Sequence, residues 1–368
     1  MDPTPTPESG EAKETGAVQF PCPSCGAGLA YDPKHNGLRC PFCGSERTID
    51  ANKGAVAELD LDEALHRARD NHDATPRDVR RVSCQACGAT VEVAPTEKAG
   101  KCTYCGSSRV VEDEPDPTRI RPTALVPFAV DTNASQDLFR KWIRSRWFRP
   151  NALTSRSTVV EMRGVLVPFW TYDAHASSTW TAEAGYHYTV TVGSGQNQHR
   201  EQRTRWEPAD GAREDDYDDV LVCASKGLDA KLLGKIEPFA LKALVPYRDE
   251  YLSGWTAESY ALDVQEGWKI AKQIIVDEQE SRCDGDVPGD THRSLEVATR
   301  VDGRSYKHLL LPVWISAYRY GDKSYRFMIN GQTGELHGQA PLSWVKILLL
   351  VLAIAAVAGT IALIAANR

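Results

Sequence analysis

Hydrophobic and polar positions change rhythm several times along this chain, and each change marks a segment. Residues 1–19 are mostly Pro, Thr, Glu and Gly with few apolar side chains, which predicts a disordered arm. Within a connector over 51–80, Val56, Leu59, Leu61, Leu65 and Ala68 recur near helical spacing, so a short amphipathic helix is expected there. An acidic, Pro-rich stretch over 112–122 reads as a linker. From 123 to 340 the pattern is that of one larger α+β domain with antiparallel strands and a worn internal duplication. ALVPF at 124–128 recurs as ALVPY at 243–247, and the run Val165 to Trp170 is echoed by Leu309 to Trp314. Helices are expected at about 135–148 and 256–282 and strands at 180–192 and 324–329, with Asn330-Gly331 as a tight-turn pair.

The last change is the sharpest. Ile347 to Ala366 is a run of 20 residues without a charge. At about 1.5 Å per residue it reaches about 30 Å, the thickness of a bilayer's hydrocarbon core. Trp344 and Lys346 stand where interfacial anchors belong. The segment 344–366 is therefore expected to be a transmembrane tail anchor, and the lipid bilayer a partner. Ala355 and Gly359 form a weak small-xxx-small face within it.

Composition narrows the picture. Charged residues make up 25% and hydrophobic residues 42%, as in an ordinary globular protein. The formal net charge of −7, from 43 Lys+Arg and 50 Asp+Glu, provides no basic footprint for wrapping nucleic acid. Eight of the ten cysteines form four Cys-x-x-Cys pairs before residue 106. The N-terminus has no apolar signal-like run, so the thiols are expected to stay reduced in the cytosol. The expected location is the cell membrane, single-pass, with the N-terminal domains in the cytoplasm.

The pairs repeat one spacing. Cys22 and Cys25 are followed, after fourteen residues, by Cys40 and Cys43; Cys84 and Cys87 are followed, after fourteen, by Cys102 and Cys105. Two residues between cysteines let one tight turn present both thiolates to one ion, and the Gly after each pair lets the backbone turn back. Two such turns close a tetrahedral site of four sulfurs, which favours Zn2+. Disulfides conflict with the compartment, and a redox pair needs a βαβ unit that is missing here. Two zinc ribbons, over 20–50 and 81–111, are thus expected to hold two structural four-cysteine sites, with no open position for a reaction. Their net charges, zero and +2, favour docking to protein over phosphate binding. His35 is expected to face solvent between the first knuckles rather than bind metal.

Weaker signals have plainer readings. The basic-aromatic stretch over 140–149 fits a packing helix with Leu138, Trp142 and Phe139 inward, or a membrane-surface segment; the first reading is favoured. Glu214 to Asp219 is expected to be a solvated acidic loop, and Cys223 and Cys283 buried small hydrophobes. The nucleotide-binding, hydrolase and metalloprotease motifs sought in the sequence are missing, so no catalytic residue is assigned.

Three blocks, GVLVPFWTYDA (164–174), KALVPYRDEYLSGWTAESY (242–260) and YKHLLLPVWISAYRYGDKSYRFMINGQTGEL (306–336), resemble the bacterial TFIIB-type zinc-ribbon membrane proteins. Members of that family are often labelled primosomal helicases; with no ATP-binding loop, helicase activity is rejected. The resemblance implies an association with membrane-stress systems and partners that are flotillin-like (SPFH) or phage-shock-protein-A-like. The expected function is a non-enzymatic, membrane-anchored adaptor that recruits cytosolic protein partners. The alternative is a membrane-attached nucleic-acid-binding protein, although nucleic acid is not the expected partner.

Overall fold

The computed structural model describes residues 20–49, 56–70, 80–93, 102, 104, 107, 109–113, 119–150, 162–320 and 323–366. The expected arm at 1–19, the linker residues 114–118 and Cys105 lie outside the described residues. The fold is mixed α+β. A first small antiparallel sheet has β1 (Ala30–Asp32), β2 (Gly37–Arg39) and β3 (Glu46–Thr48) in that order. Strand β4 (Leu59–Asp60) leads into α1 (Leu61–Asp70), so the connector is strand before it is helix. A second small sheet sets β5 (Arg80–Cys84) between β6 (Thr90–Val93) and β7 (Val110–Asp113).

A nine-stranded sheet organises most of the remaining chain. Its elements in chain order are β8 (Ala124–Leu125), α2 (Thr132–Ser145), β9 (Arg163–Val192) and β10 (His199–Cys223). Then come α3 (Ala230–Ile236), β11 (Val245–Pro246), β12 (Thr256–Ala257) and α4 (Val264–Asp286). Last are β13 (Thr291–Tyr320), β14 (Lys323–Asn330), β15 (Leu336–Gly338) and the apolar helix α5 (Trp344–Ala366). The path β10-β9-β13-β14-β15 is antiparallel, while β8 joins β13 and β12 joins β9 in parallel.

β9 and β13 have 30 residues each, far longer than the usual strand of about 5–6. At about 3.3 Å per residue each reaches about 100 Å. Burial along β9 explains how the middle of the chain folds this way. Val165 to Tyr172 are buried without interruption, because both faces of the sheet are covered there. Leu166 packs with the first small sheet and α2, and Val165, Val167 and Phe169 pack with the second small sheet and α3. Farther out only alternate residues, Ala174, Ala176, Ser178 and Trp180, are buried, on the face that carries α4.

α4 lies on that face through Val264, Trp268, Ala271, Ile275, Gln279 and Cys283, spaced by three or four residues. Gly267 permits the close approach: a Cβ there would stand 2.3 Å from the Tyr172 hydroxyl. α4 starts at Val264 rather than near 256 because Thr256–Ala257 is strand, and Asp263 caps the helix in a capping box with Glu266. α2 starts at Thr132 because the Asp131 carboxylate accepts from the N–H groups of Asn133 and Ala134.

A pseudo-twofold axis passes through the pair Val167–Leu311. On either side of it Leu166 faces Pro312 and Pro168 faces Leu310. The indole N–H of Trp170 donates to the Leu262 carbonyl at 2.9 Å, and that of Trp314 to the Val130 carbonyl at 2.9 Å. Val126 donates to the Leu310 carbonyl as Glu258 donates to that of Leu166. The structural counterpart of β8 is therefore β12, which each time precedes a helix by seven residues, from Leu125 to Thr132 and from Ala257 to Val264. The ALVPY copy instead forms β11 and pairs antiparallel with β8 itself.

Two other expectations change. Glu214 to Asp219 lie in β10 rather than in a loop, with Asp219 in a left-handed bulge at φ 57. The hairpin after β14 is longer than an Asn-Gly turn: Asn330 caps it by accepting from the N–H groups of Gln332 and Thr333, and the positive φ, at 80, falls on Gly334.

Candidate metal centres

Three of the four Cys-x-x-Cys-Gly turns close in the same way. Cys22 N–H donates to the Ala27 carbonyl and Gly26 N–H to the Cys22 carbonyl, at 2.7 and 2.9 Å. Cys40 and Gly44 repeat the pair with Ser45 and Cys40, and Cys84 and Gly88 repeat it with Ala89 and Cys84. The glycines adopt φ of 75, 74 and 78, the left-handed conformation that turns the backbone back around the sulfurs. Cys102 N–H donates to the Ser107 carbonyl, matching the first step.

These turns bring Cys22, Cys25, Cys40 and Cys43 together, with one sulfur from each within 4.8 Å of the others. Cys22 Sγ lies 3.5 Å from Cys43 Sγ, and Cys25 Sγ 3.5 Å from Cys40 Sγ. Cys84, Cys87 and Cys102 gather likewise, with 3.6 Å between the sulfurs of Cys87 and Cys102. Both groups could hold a metal ion. The first is electrostatically divided. Burial resists ionisation of Cys22, but the N–H groups of Ser24 and Cys25 and the Cys43 thiol outweigh it and lower the thiol to about 6. The Ala27 N–H favours the Cys25 thiolate, yet the neighbouring sulfurs of Cys40 and Cys43 prevail and push it up to about 12. Four sulfurs this close cannot all carry charge unless a cation sits among them. His35 is occupied elsewhere, with Nδ1 2.9 Å from the Asp32 carboxylate.

Neither small sheet stands alone. The first is fixed by Tyr31 N–H to the Ser253 carbonyl at 2.9 Å, the Ser253 hydroxyl to the Leu29 carbonyl at 2.6 Å and the Trp255 indole to the Tyr31 carbonyl at 3.0 Å. Lys34 adds an ion pair to Asp131 at 3.0 Å. The second is fixed through Glu258, which is buried and accepts from the hydroxyls of Tyr104 and Ser225. Burial raises the Glu258 carboxyl to about 7, although both hydroxyls favour its charged form. Next to it, Ser259 N–H donates to the Thr90 carbonyl at 2.9 Å.

A third group, Glu58, Asp173 and Asp218, is all carboxylate. Its neighbourhood already contains a cation: Lys307 Nζ lies 3.0 Å from Glu58, 3.3 Å from Asp173 and 3.0 Å from Asp219. Sequence reasoning singled out neither Lys307 nor Glu258. A lysine beside the apolar run after Tyr306 was a readable signal, since a cation entering a buried strand needs carboxylates. Glu258 gave none, because its partners lie 154 and 33 residues away.

α5 is long and apolar enough to cross a membrane over Trp344–Ala365, with none of that window buried against the protein. Cys283 is buried as expected, whereas Cys223 is only partly so.

No protein-family model matches the chain, and no solved structure does. The chain is similar to the uncharacterized protein YdjG of Bacillus subtilis (strain 168), with 26% identity over 337 residues, covering 90% of this chain and 92% of that protein.

Proposed function

We propose that this protein is a membrane-anchored zinc-ribbon adaptor of the TFIIB-type family, with two structural Zn2+ sites and no catalytic role. The carrying observation is the first cysteine group: four sulfurs within 4.8 Å of one another on two Gly-terminated turns. Four thiolates fill a tetrahedral shell and leave no position for water or substrate, which supports a structural ion. By the same spacing, Cys105 supplies the fourth sulfur beside Cys84, Cys87 and Cys102.

The adaptor reading is supported by how the cysteine units are presented. Each is bonded on one side to the segment 253–259 around β12, and the tip of the first carries Phe42, which is 81% exposed between Cys40 and Cys43. An exposed aromatic on a rigid turn is a suitable anchor for a protein partner. In this reading α5 anchors the assembly at the bilayer, the cysteine units lie in the cytoplasm, and anchoring raises the local concentration of a partner of the flotillin-like or phage-shock-protein-A-like class.

The test is purification of the full-length protein from membranes in mild detergent, with metal analysis and mass spectrometry of what accompanies it. Two zinc ions per chain are expected, one for each cysteine group. The variant Cys25→Ser/Cys87→Ser should lose both the zinc and the bound partner. Full zinc content in that variant would sink the metal assignment, and a partner retained without zinc would sink the role of the ribbons.

A further inference from the structure

The basic-aromatic stretch that ends α2 and the start of α5 are far apart in sequence but adjacent in space. Ser343 donates its N–H to the Phe148 carbonyl at 2.6 Å, and the Lys346 ammonium reaches the Trp147 carbonyl at 3.2 Å. The turn after α2 is thus fastened to the point where the apolar window begins, at Trp344.

The side chains sort cleanly by face. Phe139 and Ile143 enter the core, which leaves Arg140, Lys141, Arg144 and Arg146 exposed. Arg146 stacks over the Trp142 ring at 4.9 Å, a geometry that keeps the guanidinium at the surface. Asp137, the one acidic residue in 132–149, pairs with Arg140 at 2.9 Å, and 341–366 contains no acid. Among these cations stand two bare indoles, Trp147 at 77% and Trp344 at 78% exposure, with Leu342 and Val345 beside Trp344 at 60% and 68%. Water is a poor solvent for that surface, whereas the headgroup layer suits both indoles and cations.

We propose that residues 140–149, together with Trp344 and Lys346, form a second membrane contact: a bed for the anionic phospholipid headgroups of the leaflet that α5 enters. The inference rests on α5 spanning the bilayer and adds to it a surface that holds the large sheet down on that leaflet. The complementarity is one of charge, basic side chains against phosphate, and of depth, because Trp147 sits at the level of the first turn of α5. A cluster of cations on this side also agrees with a cytoplasmic placement.

The experiment uses the full chain in nanodiscs, with brominated phosphatidylglycerol as a contact quencher of tryptophan and with brominated phosphatidylcholine alone as the neutral probe. Comparing the wild type with Trp147→Phe and with Trp344→Phe isolates each indole's share of the quenching. Both shares should be present in anionic discs, with the Trp147 share reduced in neutral discs. Each cation near an anionic surface multiplies the docked-to-undocked ratio by about fivefold. Arg144→Gln/Arg146→Gln should therefore lower that ratio by about 25-fold and remove most of the Trp147 share while leaving that of Trp344. A quenched Trp344 with an unquenched Trp147 overturns this proposal and leaves the membrane helix standing. Loss of both shares overturns the membrane helix and this proposal together. A Trp147 share equal in neutral and anionic discs overturns the headgroup selectivity.

Discussion

Lys307 offers the most exacting test of how the long strands are held together. Its side chain is 7% exposed and faces Asp173 of β9, Asp219 in the bulge of β10 and Glu58 just before β4. Replacing it by Met keeps the aliphatic stem, so that little volume is lost, but deletes the charge that balances the group. Glu58 is half exposed, and its share is at most about 1 kcal/mol. Asp173 and Asp219 are 15% and 27% exposed, and breaking pairs of this kind costs about 3–5 kcal/mol. A total of about 4 kcal/mol is expected for Lys307→Met, or about 10 °C in Tm for a domain of this size. The pH dependence carries the sharper signature. In the wild type, burial opposes ionisation of Asp173, but the Asp219 N–H, Lys307 and the Ser305 hydroxyl outweigh it and hold the carboxyl below its usual range. That stabilisation is present above the unfolded value near 4 and is lost as pH falls through the lowered folded value. Without Lys307 the clustered carboxylates repel one another, and Asp173 loses the cation that helps hold its folded value down. The variant should then gain more stability than the wild type as pH falls from about 7 to about 5, the slope that Glu258 contributes there being common to both. Thermal unfolding of the full chain in detergent, followed by tryptophan fluorescence, measures both effects. A Tm within about 2 °C of the wild type at neutral pH, or parallel pH profiles, would refute the reasoning.

The same physics gives two further outcomes. Glu258, raised to about 7 by burial, contributes stability that is fully present below its unfolded value near 4.5 and lost as pH rises through about 7. Glu258→Gln should abolish that slope, worth about 3 kcal/mol, and hydrogen exchange of 80–93 across the pH range will show whether it does. Trp170→Phe and Trp314→Phe each shrink a buried ring and remove the donor to a partly buried carbonyl, Leu262 or Val130, and should each cost about 2–4 kcal/mol in the same unfolding assay. A marked inequality between them would speak against equivalent roles for the two units.

The cysteine turns were legible in the sequence because their geometry is local: the Cys and Gly positions alone specify where the sulfurs converge. The apolar helix was legible for the same reason. The length of β9 and β13 was not, since Ser177 and Ser178, Thr299, Arg300 and Asp302 give no apolar alternation to trace. The charged run in β10 resembled a loop because that strand lies at the sheet edge, where its polar side chains meet solvent and α4 partners such as Arg282, 2.7 Å from Asp215. The pseudo-twofold partner of β8 was hidden by a better-matched decoy. ALVPY keeps four of the five letters of ALVPF, but the place of β8 is taken by a segment that resembles it only after the strand, in Phe128/Tyr260, Ala129/Ala261, Val130/Leu262 and the capping pair Asp131/Asp263.

The exchange of strands across the pseudo-twofold axis also sets a timetable for synthesis. β8 must wait for Leu309–Leu310, and Thr123 bonds to His308, 185 residues later. The first cysteine unit waits for Ser253, and the second for Glu258. At about 5–20 residues per second, β8 stays without β13 for about 10–40 s after leaving the ribosome. Neither half can close its sheet before β13 is made, and the apolar run Val165 to Tyr172 lacks its β13 partner meanwhile. Such non-local pairing belongs to the slow end of folding rates. A nascent chain of this design carries that surface as an aggregation hazard until β13 emerges.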